Sequence, residues 1–225
     1  MDLISTFFNW EILTRSFPML MRGVGNTLLL GCASIVFGGI AGLIVCLMRL
    51  YGSKAVRLFA IGYIDMLRAM PILVLLILIY YALPFIGIRF SSFTSATLAL
   101  SLVLSAFTAE VCRAGIESIP RGQFEAASAL GLTFWTTMRK VILPQALRVV
   151  IPPLTSNCVS IYKDTALASV VAMPDLLKQA TDAQALMANP TPLIGAAAIY
   201  LAFLWPLVRL VNHLEERGKQ QMLAR

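Results

Sequence analysis

Four stretches of this chain carry no charged residue: Gly23–Met48, Ala69–Ile88, Phe90–Ala109 and Ala183–Val208. Each is near or above the roughly 20 residues that a helix needs to cross bilayer hydrocarbon. A fifth, Val149–Pro174, is interrupted only by Lys163 and Asp164. Hydrocarbon offers no partner to a backbone amide or carbonyl, so each run reads as a helix that satisfies its own backbone. The expectation is an all-α membrane protein with five transmembrane helices, at about 25–48, 57–83, 93–112, 149–173 and 192–213. Composition agrees, with 59% hydrophobic and 13% charged residues and a mean hydropathy of +0.82, far from a soluble domain.

The basic residues set the orientation. Arg49, Lys54, Arg57, Arg113, Arg121, Arg139, Lys140, Arg148, Arg209, Arg217, Lys219 and Arg225 fall on one side, and only Arg15, Arg22, Arg89 and Lys178 on the other. Positive charge is retained inside, so the richer side is read as cytoplasmic, with the N-terminus outside and the C-terminus inside. This bias accounts for the net charge of +7 and leaves no reason to invoke nucleic acid. Residues 1–22 read as an interfacial amphipathic lead-in without the basic start of a cleaved signal peptide. Residues 23–217 form a single transmembrane domain and 218–225 a cytoplasmic tail. Cys32, Cys46, Cys112 and Cys158 show no paired spacing and read as small apolar residues.

Several positions stand out within the spans. Gly31, Gly38 and Gly42 put small residues on one stripe of the first span, suited to close helix contact. In the second, Pro71 kinks the helix, and Arg68 with Pro71 is a candidate gate; a local Asp65–Arg68 ion pair is the plainer reading of that arginine. Glu110, Arg113 and Glu117 share one face of the third helix as it runs on past the membrane to Pro120. The fourth span carries Thr155, Ser156, Asn157, Ser160, Lys163, Asp164 and Thr165, and polar groups at depth face an interior or a water-filled path. Residues 174–191 read as an outer loop. No phosphate-cradling glycine loop, HExxH pair or nucleophile with a spaced base is found, so no catalytic or metal-binding residue is expected; His213 reads as an interfacial residue.

The cytoplasmic loop 117–148 is the specific signal. It reads Glu125-Ala126-Ala127, three residues, Gly131, nine residues, Val141, one residue, Leu143-Pro144. A short small-residue helix is expected here, broken at Gly131 and followed by an amphipathic stretch to Pro144 with Phe134, Trp135, Met138, Val141 and Ile142 on its apolar side. This pattern resembles the EAA signature of the permease subunits of binding-protein-dependent ABC importers, with Val141 where the family prefers Ile. Arg68-Ala69-Met70-Pro71, Glu110 to Ile116 leading to Arg121-Gly122-Gln123, and Lys163-Asp164-Thr165-Ala166-Leu167 resemble the branch that takes up polar amino acids. Ala69 and Ala166 are small-for-small departures from it.

The resemblance implies a second permease subunit, two cytoplasmic ATPase subunits that hold ATP and Mg2+, and an external solute-binding protein, with no cofactor bound by this chain itself. Gln123, Glu125, Ala126, Ala127, Gly131, Leu143 and Pro144 are then the ATPase-coupling residues. The residues themselves agree, because a helix of small side chains lies deep in a partner's groove and a glycine turns the chain out of it. Asn157, Ser160 and Asp164 share a stripe with Lys163 beside it, a candidate substrate path toward the zwitterion of an amino acid. An internal ion pair that fixes packing is the competing reading of Lys163 and Asp164. The rival for the whole chain is an ion-coupled secondary transporter or channel using Glu110, Lys163 and Asp164 as a relay, against which the loop argues.

Overall fold

A computed structural model of the chain describes residues 6–223, so the first five residues of the expected lead-in and the last two of the expected tail lie outside it. Among the described residues every regular element is helical. Helix α1 runs unbroken from Trp10 to Tyr51, 42 residues, or about 63 Å at 1.5 Å per residue. Asn9 caps its start, Oδ1 accepting the Ile12 amide at 3.2 Å. From Trp10 onward the expected lead-in is therefore the first turns of the helix that becomes the first span. The change at Arg22-Gly23 is one of composition and not of backbone, and Pro18 is accommodated inside the helix.

Helix α4 (Ser92–Glu117) is the most enclosed apolar helix, and α1 packs along it through glycine. A Cβ on Gly38 would lie 2.9 Å from the Ser101 carbonyl oxygen and the Leu104 Cβ. One on Gly42 would lie 2.5 Å from the Thr108 Cβ and 2.8 Å from the Ser105 oxygen. Backbones this close bring Ser101 Oγ within 3.3 Å of the Ser34 carbonyl, to which it donates. Gly31, on the same stripe, admits the ring of Tyr162, which a Cβ would overlap at 2.2 Å.

The second expected span is not one kinked helix. Helix α2 (Lys54–Ala69) stops, Met70 and Pro71 are extended, and α3 (Ile72–Ile77) starts at an angle of 102° to it. Proline disfavours a helical residue before it and has no amide to continue the ladder, so the Met70-Pro71 pair breaks the helix. Beyond α3 the chain winds through a π turn (Leu78–Ala82) and a 3-10 turn (Leu83–Ile86) to a left-handed Gly87. The Asp65–Arg68 ion pair does not form. Asp65 is exposed, and the Arg68 guanidinium lies 5.7 Å above the Phe107 ring of α4.

After α4 come the short helix α5 (Arg121–Ala129) and a helix that starts as α6 (Phe134–Thr137), widens into a π turn (Met138–Ile142) and continues as α7 (Leu143–Asp164). Pro144 therefore does not separate an amphipathic loop segment from the next span. The wider π turn just before it absorbs a residue with no amide to give. Met138 and Ile142 are buried as expected, but Phe134 and Trp135 are 53% and 79% exposed. From Thr165 to Val171 the chain tightens to a 3-10 helix. The expected outer loop then contains helix α8 (Leu176–Met187), capped by Asp175 and too short for a span, before α9 (Thr191–Leu223).

By length and apolarity α1, α4 and the Thr191–Leu214 part of α9 qualify as spans, with the bent α2–α3 unit a fourth candidate. The polar α7 is not among them. Its stripe of Thr, Ser and Asn, together with Lys163 and Asp164, lowers the apolarity on which such a count relies.

One charged knot joins α1 to α4. Arg49 Nη1 donates to Glu110 Oε2 at 2.7 Å, Arg113 Nη2 donates to Glu110 Oε1 at 2.5 Å, and Arg113 also holds Glu117. The three groups nearest the centre are only 20–23% exposed, so the pairs are screened less than surface ones. Glu110→Gln leaves two arginines facing a neutral acceptor. It is expected to cost about 1–3 kcal/mol, read as a lower thermal unfolding midpoint in detergent. Gly42→Val is expected to cost a similar roughly 1–3 kcal/mol by overpacking. Gly39→Val, with no atom within 4 Å of the added Cβ, leaves the midpoint nearly unchanged.

Candidate functional site

The break at Met70-Pro71 opens a cavity of about 330 Å³ between α2–α3, α4 and α7. Arg68, Met70 and Pro71 form one wall and Asn157, Ser160 and Asp164 the opposite one. Leu104 and Phe107 contribute the apolar floor. Five of the six path and gate residues expected from the sequence thus meet in one space. Two causes act together: the i, i+3, i+7 spacing puts Asn157, Ser160 and Asp164 on one face of α7, and the extended Met70-Pro71 keeps α3 from filling the gap.

The polar groups lining this space are incompletely paired within the chain. Asn157 Nδ2 is buried with no hydrogen-bond partner, and a buried donor left unpaired is costly. Asp164 and Arg68 make no ion pair, with each other or with any other group among the described residues. The cavity therefore offers the Asp164 carboxyl, the Arg68 guanidinium, the Asn157 amide and the Ser160 hydroxyl, lined otherwise by apolar side chains. Lys163 does not line it. One residue back from Asp164 on the helix, it points elsewhere and is exposed on the isolated chain, and no Lys163–Asp164 ion pair forms. The cation across the cavity from Asp164 is Arg68, whose position there no spacing in the sequence could reveal. Phe107 and Leu104, which shape the floor, were likewise hidden among the apolar residues of a span.

At the other candidate site, the expected short helix and its glycine break are present. Leu130 is the C-cap of α5 and Gly131 adopts φ +70°. The Leu132 amide reaches back to the Ala127 carbonyl at 3.0 Å, and the Gly131 amide to Ser128 at 2.9 Å. This paired closure satisfies the last carbonyls and needs the left-handed residue that glycine supplies. Ala127 is 3% exposed and packs inward, whereas Glu125, Ala126 and Ala129 face out. Beside them stand Leu130, Trp135 and Phe134, at 78%, 79% and 53% exposure. Gln145 donates to the Gln123 Oε1 at 3.4 Å and to the Val141 carbonyl at 2.8 Å, which ties the start of α5 to the start of α7. Leu143 and Pro144, also expected here, are exposed on that same stem. Three large apolar side chains are thus exposed beside the small residues of α5.

Residues 34–220 match the family described as binding-protein-dependent transport system inner membrane component. A probable amino-acid ABC transporter permease protein, YckA of Bacillus subtilis (strain 168), is 41% identical over 77% of this chain and 76% of its own length. The L-cystine transport system permease protein TcyB of the same organism is 36% identical over 99% of this chain and 96% of its own. The glutamine transport system permease protein GlnP of Escherichia coli (strain K12) is 33% identical over 94% and 98%. A crystal structure described as an amino acid ABC transporter with histidines superposes with a TM-score of 0.86 at 34% identity, covering 96% of this chain and 99% of that one. An inward-facing methionine ABC transporter shares the fold alone, at a TM-score of 0.66 and 22% identity. The chain belongs to the family of inner membrane components of binding-protein-dependent transport systems.

Proposed function

We propose that this chain is the permease subunit of an ATP-driven importer of polar amino acids, pairing with a second permease subunit of the same or a sister kind. The observation that carries the cargo reading is the cavity that Arg68 and Asp164, without an ion pair, line together with the bare Asn157 amide. A zwitterion complements this set: its carboxylate takes Arg68 and the Asn157 Nδ2, and its ammonium takes Asp164. A volume of about 330 Å³ lies at the small end of ligand sites. The names of the relatives, which speak of amino acids, cystine and glutamine, support the same class. Lys163, exposed next to Asp164, extends the path toward the second subunit.

In this reading the chain makes five passes of a bacterial inner membrane, with α7 as the polar one, the N-terminus outside and the C-terminus in the cytoplasm. The face of α5 with Glu125 and Ala126, and the Leu130–Trp135 tip, dock on a cytoplasmic ATPase subunit that holds ATP and Mg2+, while an external binding protein delivers the cargo. Glu125, one turn into a helix of nine residues, is placed to meet a basic group there. Membership of the family favours this over an ion-coupled transporter or channel. Vanadate, and not an uncoupler, is expected to stop uptake.

Two sets of variants in the reconstituted complex test the two sites separately. Arg68→Gln, Asp164→Asn and Lys163→Ala are expected to cut uptake by at least about 30-fold, the loss of one charge-assisted contact of roughly 2 kcal/mol, while the ATPase stays bound. Unchanged uptake in both Arg68→Gln and Asp164→Asn would remove the cavity from the path. The Cβ added by Gly131→Asp meets no atom within 4 Å and carries the backbone cost of φ +70°, about 1 kcal/mol. It is expected to insert and assemble yet lose the dependence of ATP hydrolysis on the binding protein; normal transport by the assembled variant refutes the coupling role.

A further inference from the structure

Asp175 belongs to neither site. It lies between the 3-10 turn and α8, at the end of the molecule opposite α5, and is wholly buried at 0% exposure. As the N-cap of α8 its Oδ1 accepts the Lys178 amide at 2.9 Å, but its Oδ2 has no hydrogen-bond partner. Close approach of α1 closes the site. A Cβ on Gly23 would fall 2.7 Å from the Leu176 Cα and 3.0 Å from the Asp175 carbonyl oxygen. Thr27 Oγ1 accepts the Leu176 amide at 3.0 Å, and Asn26 Nδ2 donates to the Pro174 carbonyl at 2.7 Å.

Beyond the amides at the start of α8 and the Lys178 charge, the groups around the carboxyl are neutral. Helix α1 presents the uncharged Gly23, Asn26 and Thr27. Tyr200 of α9 stands beside Asp175, with Thr27 and Thr165 of the 3-10 turn next to its hydroxyl. The nearby cation, Lys178 of α8, is held by Asp182 at 2.5 Å. An ionised carboxylate only accepts hydrogen bonds, so Oδ2 loses its water and gains nothing in return. A protonated one carries no charge and has a hydrogen to give. The backbone here also departs from regular helix, with Ala172 in the left-handed region at φ 56°.

We propose that Asp175 is a reversible proton-binding site, and that a proton taken up there latches α8 against α1 at Gly23 and Thr27 and against α9 at Tyr200. Burial, only partly offset by the amides at the start of α8, pushes the Asp175 pKa from 3.8 up to about 6. The packed arrangement therefore holds a proton on the order of 100-fold more tightly than an exposed aspartate does. By reciprocity, protonation favours the packed over the opened α8 by the same factor. The gain is complete below about pH 4, falls as pH rises, and is gone above about pH 6. It depends neither on the cargo nor on the ATPase.

Infrared difference spectra of the purified full-length chain, titrated from about pH 4 to pH 8, read this directly. A carboxylic-acid carbonyl band is expected to vanish with a midpoint at about 6 and to be missing in Asp175→Asn, which keeps the helix cap. The thermal midpoint of the natural chain falls from about pH 5 to pH 7, and that of Asp175→Asn is flat by comparison. Tyr200→Phe, which keeps the carboxyl, is expected to shift the band, since the hydroxyl shares its pocket. Titration of Asp175 at its ordinary value of 3.8, or a band near 6 that survives in Asp175→Asn, would overturn the proposal. An unmoved band in Tyr200→Phe would overturn the contact with α9.

Discussion

Everything in this molecule depends on how closely α1 can approach α4. In hydrocarbon there is no hydrophobic drive to bring two apolar helices together, so van der Waals contact between backbones has to do it. Gly38 and Gly42 provide that contact by presenting no side chain to Ser101, Leu104, Ser105 and Thr108. The charged knot of Arg49, Glu110 and Arg113 then fixes the rotation and height of one helix on the other. Because α4 is the enclosed centre, this pairing sets the wall against which both α2–α3 and α7 are placed.

The cavity follows from a failure to pack. A continuous second span would lie along α4 and α7 and bury their polar stripe. The extended Met70-Pro71 pair instead turns the chain through 102° and leaves Asn157, Ser160 and Asp164 looking into space. The same proline chemistry is harmless at Pro144, where the preceding π turn supplies the slack. Two prolines in similar sequence settings thus do opposite things, one ending a helix and the other riding within it.

That contrast marks what the sequence could and could not convey. The apolar runs, the short helix at 121–129 and its glycine break were legible because each rests on local rules: span length, helical spacing and the left-handed residue at a helix end. The α7 stripe was legible for the same reason. Arg68 across the cavity from Asp164 was not, since that placement is made by a bend whose angle no local rule predicts. Asp65 three residues before Arg68 suggested an ion pair, yet packing on Phe107 took the arginine the other way. Helix α8 does not show in the sequence because its twelve residues are mixed in polarity and follow a buried aspartate. The extent of α1 was missed because composition changes at Arg22 while the backbone does not.

The unbroken length of α1 has a mechanical meaning. Beyond Pro18 a single stiff rod runs from Gly23, wedged against Leu176, to Tyr51, whose ring meets Phe134 edge-on at 5.9 Å beside the α5 tip. A rod clamped at both ends cannot absorb a push by bending locally. A tilt imposed at the Phe134 end would, with the glycine contacts on α4 as fulcrum, bear sideways on the contact with Leu176. The two faces of the molecule are thereby geared to each other through one helix, whatever the cavity between them contains.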